Sequence, residues 1–194
     1  VKADTAGITR EPFVAVDGSR GAHVHFDGVQ LHTDQVLGQA GAGLAAALKV
    51  LDFAIVAIGA EALGSMQSLL DATVEYTKVR RQFGQPISNF QVLQHRMADM
   101  YMKVEEARSL LLHAAIWLKD DSCEAPAACA ALKVKVAEAG RFVSQQAVQL
   151  HGGIGMTDEL VVGHHFKRLL LLGRLYGDEH HHLQRFATLS KARS

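Results

Sequence analysis

Hydrophobic and polar positions change their period once along this chain, near residue 40. Before it come three short β-type runs, Phe13–Val16, Ala22–Phe26 and Val29–Leu31, the last two alternating apolar with polar residues, separated by Asp17-Gly18 and Asp27-Gly28. Period two marks strands, and Asp-Gly between strands marks a tight hairpin. Three short strands cannot bury two faces unaided, so they are expected to pack on the helices that follow or on strands outside this sequence. From Gly43 the period becomes helical. Residues 44–80 predict one long helix, apolar around most of its circumference through Leu48, Leu51, Ile55, Ile58, Leu63, Met66 and Leu70. An all-round apolar helix belongs in the middle of a bundle. Gly59 and Gly64 weaken it as a helix while allowing a neighbouring helix to come close. Val79-Arg80-Arg81 brings cations to the last turn, where the helix dipole favours them.

A second helix is expected from about Asn89 to Lys119. Its apolar positions Leu93, Met97, Met100, Val104, Ala107, Leu111, Ala114 and Leu118 alternate steps of four and three, the seam of a left-handed bundle. Asp120 to Pro126 forms the connection, with Pro126 suited to a first helical turn. A third helix, about 127–150, repeats the seam through Leu132, Val136, Ala139, Val143, Ala147 and Leu150, and His151-Gly152-Gly153 stops it. Two shorter helices follow at 158–175 and 178–192, broken near Tyr176-Gly177. The expected fold is mainly α, an antiparallel four- to five-helix up-and-down bundle preceded by a short remnant of β-structure. Domain limits fall at 1–40 for the β-part and 41–194 for the bundle.

Composition narrows the function. The chain has 194 residues, 48% hydrophobic and 21% charged, which is globular chemistry and not that of a disordered segment. Lys+Arg and Asp+Glu number 20 each, and aromatics are 6%, so neither electrostatic capture of nucleic acid or anionic membranes nor base stacking is indicated. Cys123 and Cys129 read as free thiols, with a reducing cytoplasm as the expected compartment. The run Leu44–Leu70 is interrupted by Lys49, Asp52 and Glu61, which favours a buried helix over a membrane span. Val1-Lys2-Ala3-Asp4 has neither an initiator Met nor a signal-type core, and the chain opens in strand character; part of a longer protein is expected.

Four groups of side chains could carry chemistry. The first is the corner Arg80–Gln91, too polar for a plain helix–helix turn. Arg80 offers a planar fork for a phosphate or carboxylate, and Gln91 an amide that could reach the same ligand; two surface groups at a turn are the plainer alternative. The second is Gln149-Leu150-His151-Gly152-Gly153-Ile154-Gly155, where bare backbone could lie against phosphates or sugar, or where glycine simply caps a helix. The third is the histidines His164-His165 and His180-His181-His182. Neighbouring helical residues project about 100° apart, so three in a row cannot face one metal. No zinc or di-iron spacing completes such a site, although His180 and Glu159 could meet in space. No metal is expected. The fourth is the carboxylates. Asp52 and Glu61 need partners, a cleft or a polar stripe within their apolar helix, while Asp178 suits an N-cap of the last helix.

Taken in order, Arg80-Arg81-Gln82-Phe83-Gly84-Gln85-Pro86-Ile87 with Phe90-Gln91, then Met97-Ala98-Asp99-Met100, then Gln149 to Gly155, resemble the C-terminal part of an acyl-CoA dehydrogenase in both motif and spacing. The resemblance covers nearly the whole chain and leaves out that family's N-terminal helical domain and most of its β-domain. It implies FAD between the β-domain and the bundle, an acyl-CoA substrate, a homo- or hetero-oligomer (dimer or tetramer), and an electron-transferring flavoprotein as redox partner. It implies that Arg80, Gln82 and Gln91 serve the FAD of a neighbouring subunit, as do Gln149, Leu150, His151, Gly152 and Gly153.

The family's catalytic carboxylate does not carry over. Where most members place a glutamate after a tyrosine, this chain has Gly177 after Tyr176; where a minority place it in the first long helix, this chain has Ala54. Glu179 and Asp178 are the remaining candidates for the base. A displaced carboxylate about 1 Å out of place can cost ~100-fold in rate. The same absence fits a non-catalytic companion subunit lending FAD-binding residues to a partner. A structural or oligomerisation module, or a metal-binding bundle, are the readings from other classes.

Overall fold

The computed structural model describes residues 1–157 and 159–191, and the chain divides into two compact units, Val1–Val50 and Leu51–Ser194. In the first, strands β1 (Ile8–Val14) and β2 (Arg20–Phe26) pair antiparallel from Ile8↔Phe26 to Val14↔Arg20. The expected Asp17-Gly18 hairpin forms: the Asp17 carboxylate accepts from the Ser19 N–H and hydroxyl at 3.0 and 2.7 Å. Gly18 takes φ +83°, a conformation open mainly to glycine.

The third expected strand, Val29–Leu31, is absent. After Gly28 the chain instead bonds to itself locally, with Gln30 Nε2 donating to Gly28 O and the His32 N–H to Gln35 Oε1, and enters a short 3-10 turn at Thr33–Gln35. A two-stranded ribbon with both faces largely exposed, Phe26 and Val14 among the exposed residues, has no buried face to hold a third strand in register.

Helix α1 runs Gly43–Val79, α2 Gln91–Lys119, α3 Ala125–His151, α4 Val161–Leu172 and α5 Glu179–Lys191, each within a few residues of its expected span. Position 158, expected to open the fourth helix, and position 192, expected to close the fifth, lie outside the described residues. The seams hold. Met100, Val104, Ala107, Ala114 and Leu118 of α2 are buried, as are Leu132, Val136, Ala139, Val143, Ala147 and Leu150 of α3.

The centre of the bundle is α3, not α1 as its all-round apolarity predicts. More than half of the 27 residues of α3 are buried, against about a third of the 37 in α1, where Phe53 is 53% exposed. The small residues of α3 are the ones turned inward: Ala128, Ala130, Ala139, Gly140 and Ala147 are buried, whereas Ala57, Ala60 and Gly64 of α1 are exposed. Neighbours can therefore come close to α3; a Cβ placed on Gly140 would lie 3.3 Å from Leu169 Cδ2. Gly59 likewise faces Leu132 at 3.1 Å, as expected of a close-approach glycine, but Gly64 faces open space and admits no neighbour.

Two ion pairs resolve the carboxylates of α1. Asp52, buried, meets Arg185 of α5 at 2.8 and 3.0 Å, and its own carbonyl accepts the Cys129 thiol at 3.8 Å. Glu61 takes Arg168 of α4 through both oxygens. α1 is long and apolar enough to cross a membrane, yet its one buried stripe packs into the bundle core through Ile55, Ala62, Met66 and Leu69.

Candidate functional site

The corner after α1 is a two-residue hairpin. The last turn of α1 carries over as the Arg80 N–H donates to Tyr76 O; then β3 (Arg81–Gln82) pairs with β4 (Gln85–Pro86), and the Ile87 N–H closes the loop on Arg80 O at 2.8 Å. The two tip residues, Phe83 and Gly84, both have positive φ, 53° and 80°. Such turns favour Asn, Asp or Gly at the first position, so a phenylalanine there carries about 1–3 kcal/mol of strain. Its ring is 91% exposed and stands edge-on to Phe90 at 6.1 Å.

Most polar groups of the corner are occupied within it. Arg81 donates to Gly84 O, Gln82 Nε2 to Arg81 O, Asn89 Nδ2 to Gln85 Oε1 and Gln94 Nε2 to Ser88 O. Arg80 and Gln91 are exposed, and neither makes a side-chain hydrogen bond or ion pair among the described residues.

The end of α3 is tied to the end of α1. His151 is buried, its ring stacked on Tyr76 at 4.4 Å, and Tyr76 Oη donates to His151 O at 3.3 Å. Nδ1 of His151 lies 2.8 Å from Ala147 O; a carbonyl only accepts, so Nδ1 carries the proton. A second link joins Arg96 of α2 to Gln146 of α3. Arg80, Gln91 and the Gln149–Gly153 stretch therefore share one end of the bundle. Gln149 is exposed and without a side-chain partner among the described residues, while Gly152 turns out of α3 with φ +64°. No atom lies within 4 Å of where a Cβ on Gly152 or Gly153 would stand, so the backbone there is bare. Leu150 and His151 are buried, which leaves only their backbone for any ligand.

A second region, the turn between α4 and α5, contains the residues considered for a base. Asp178 accepts the His181 N–H at 2.9 Å and caps α5; this hydrogen bond holds its carboxyl below the usual aspartate range. Glu179 pairs with Arg141 at 3.1 Å on the wall of an open cleft of about 320 Å³ that also includes Leu169, Arg174 and Leu183. Gly177 has φ +104°, and a Cβ there would come within 2.7 Å of His181 Cδ2 and 2.9 Å of His182 Nε2. Ala54 is half-buried on α1.

Sequence reasoning missed what lies under that turn. Lys133 is 1% exposed, and its Nζ donates to Gly173 O and Gly177 O, both at 2.8 Å. Burial pushes its ammonium down to about 8, with Asp178 partly opposing. A lone lysine inside Ala130-Ala131-Leu132-Lys133-Val134 was a readable signal, as was His182 at the buried position of a helix that also buries much of Arg185 and Leu189. Among the described residues no three His, Cys, Asp or Glu side chains converge as a metal site, and His180 bonds Gln184.

Residues 41–188 match the family model described as the C-terminal domain of acyl-CoA dehydrogenase. The chain is 38% identical over 162 residues to a probable acyl-CoA dehydrogenase, YngJ, of Bacillus subtilis, covering 82% of this chain and 42% of that protein. It superposes on butyryl-CoA dehydrogenase from Megasphaera elsdenii with a TM-score of 0.90 and 28% identity, over 97% of this chain and 50% of the other. The ChsE4–ChsE5 complex of Mycobacterium tuberculosis gives a TM-score of 0.90 at 25% identity, over 100% of this chain and 51% of that one. The chain thus spans about half the length of the proteins it matches.

Proposed function

This chain belongs to the acyl-CoA dehydrogenase family through its C-terminal domain, and on that footing we propose that it is the C-terminal part of an FAD-dependent enzyme that desaturates an acyl-CoA thioester between its α and β carbons. The observation carrying this reading is that one end of the bundle gathers an arginine, two amides and a stretch of bare backbone, with Arg80, Gln91 and Gln149 unspent on internal bonds.

These residues fit the outer part of a flavin dinucleotide. The Arg80 guanidinium suits a pyrophosphate oxygen by charge and by its forked donors. Gln91 and Gln149 can each donate and accept, as ribose, adenine or a flavin edge requires. Gly152 and Gly153 let a ligand lie directly against main chain. Bound FAD would supply the acceptor for the β-hydride. The side chains of this end would only hold and orient it, and an edge so open needs a second surface to close it, which favours an oligomer. An electron-transferring flavoprotein is the proposed acceptor of the electrons, and the cytoplasm, consistent with two cysteines that carry no disulfide, the proposed compartment.

A specific observation favours a second reading, the companion subunit. Neither family position for the base holds a carboxylate; Asp178 is spent as a helix cap and Glu179 on Arg141. If this chain catalyses alone, Glu179 is the better candidate base, because the cap role of Asp178 fixes its carboxylate toward backbone. The deciding experiment expresses the full-length protein alone and with its genomic neighbour, and measures flavin absorbance and dye-linked acyl-CoA oxidation. Arg80→Ala is expected to lower flavin content. Retention of full flavin by Arg80→Ala, Gln91→Ala and Gln149→Ala together sinks the flavin-edge reading. Full activity of the lone subunit, abolished by Glu179→Gln, sinks the companion reading.

A further inference from the structure

Residues 173–178, joining α4 to α5, are held from beneath by two basic side chains. Lys133 supplies Gly173 O and Gly177 O. His182, fully buried at 0% exposure, sets its Nε2 2.8 Å from Tyr176 O. Since the carbonyl can only accept, Nε2 carries a hydrogen. Its other nitrogen, Nδ1, is sealed from solvent and has no hydrogen-bond partner among the described residues. The backbone it restrains is in the left-handed region at both Tyr176, φ 59°, and Gly177, φ 104°.

The titratable side chains facing the ring all oppose a positive charge on it. Lys133 faces it from α3; Arg185 and His181 stand beside it on α5, the His181 ring 4.9 Å away and nearly perpendicular. Burial is the largest influence holding His182 below the ordinary histidine range, the bond to Tyr176 O opposes it, and those three neighbours add to it. The carboxylates around this turn are committed elsewhere: Asp178 to the His181 N–H, Glu179 to Arg141 and Asp52 of α1 to Arg185.

We propose that the α4–α5 turn is a clasp released by a single proton: neutral His182 holds it shut, and protonation at Nδ1 expels the ring and frees residues 173–178. The proton comes from water and no other reactant is needed. Closed, the ring keeps an N–H on Tyr176 O and leaves one unpaired acceptor; protonated, it would be a buried cation with an unpaired donor beside an ammonium, which a packed interior does not tolerate. The open form takes its proton near the ordinary value of 6.5 and the closed form only below it, so falling pH favours opening. This switch needs only the helical fold, whatever the corner binds.

The test is hydrogen–deuterium exchange of peptides covering residues 173–182 between about pH 7.5 and about pH 5, corrected for chemical exchange, with an NMR titration of His182 in parallel. The protected amides are expected to exchange about tenfold faster at the acid end, following the His182 midpoint. His182→Gln, whose amide can donate to Tyr176 O but takes no proton, is expected to remove that dependence. An acid rise of the same size in His182→Gln, or none in the wild type, overturns the proposal. Should His182→Gln not fold, the wild-type titration decides: turn amides that move with the His182 midpoint support the clasp, and turn amides that stay unchanged through it overturn it.

Discussion

Replacing Arg185 by methionine isolates the forces that dock α5. The Asp52–Arg185 pair joins helices 133 residues apart in sequence, and the Asp52 and Arg185 side chains are 6% and 17% exposed. Arg185→Met leaves the Asp52 carboxylate buried without a partner, and breaking such a pair costs about 3–5 kcal/mol. The residual exposure of Arg185 admits some water, so the lower end, about 3 kcal/mol, is expected. For a chain of this size that is a fall in Tm of roughly 6–12 °C. Urea denaturation of wild type, Arg185→Met, Asp52→Leu and the double variant measures it. The double variant is expected to recover most of the loss, because two apolar side chains of similar volume replace two buried charges. A loss under about 1 kcal/mol in Arg185→Met, or a double variant as unstable as the sum of the singles, refutes the reasoning.

Gly177→Glu is expected to lower Tm without creating dye-linked acyl-CoA oxidation in the full-length protein, since a Cβ at φ +104° meets the His181 and His182 rings. Lys133→Met is expected to change the pH dependence of stability. The folded-state value is about 8 against an ordinary 10.5, so between those limits only the unfolded chain holds the proton and wild-type stability rises with pH. The wild-type-minus-variant difference in urea midpoints should show that rise, and a flat difference contradicts it. Gly64→Ala is expected to stabilise by about 0.5–1 kcal/mol, because the position is helical and open. Gly59→Ala should gain less or lose, with Leu132 Cδ2 only 3.1 Å from the new Cβ; equal gains at both sites would contradict the packing account.

Much of the helical architecture was written into local pattern. The four-three alternation in α2 and α3 marks faces that are buried, because residues three and four apart stack on one side of a helix. Asp17-Gly18 marks its hairpin, and Asp178 its cap, by chemistry confined to a few neighbouring residues. The polar corner and the glycine pair were visible too, as groups exceeding what a turn requires.

What stayed hidden depended on distance along the chain. Apolarity all round α1 does not tell which helix sits at the centre; that depends on how closely neighbours approach, and it is α3 that turns its small residues inward. Likewise, no local pattern pairs Asp52 with Arg185 or aims Lys133 at carbonyls 40 and 44 residues away. By itself the sequence determined the helices, their buried stripes and the polar groups available for a ligand. Only the tertiary structure decided which of those groups are spent on the fold and which remain free, because a side chain's partner is set by packing across the bundle.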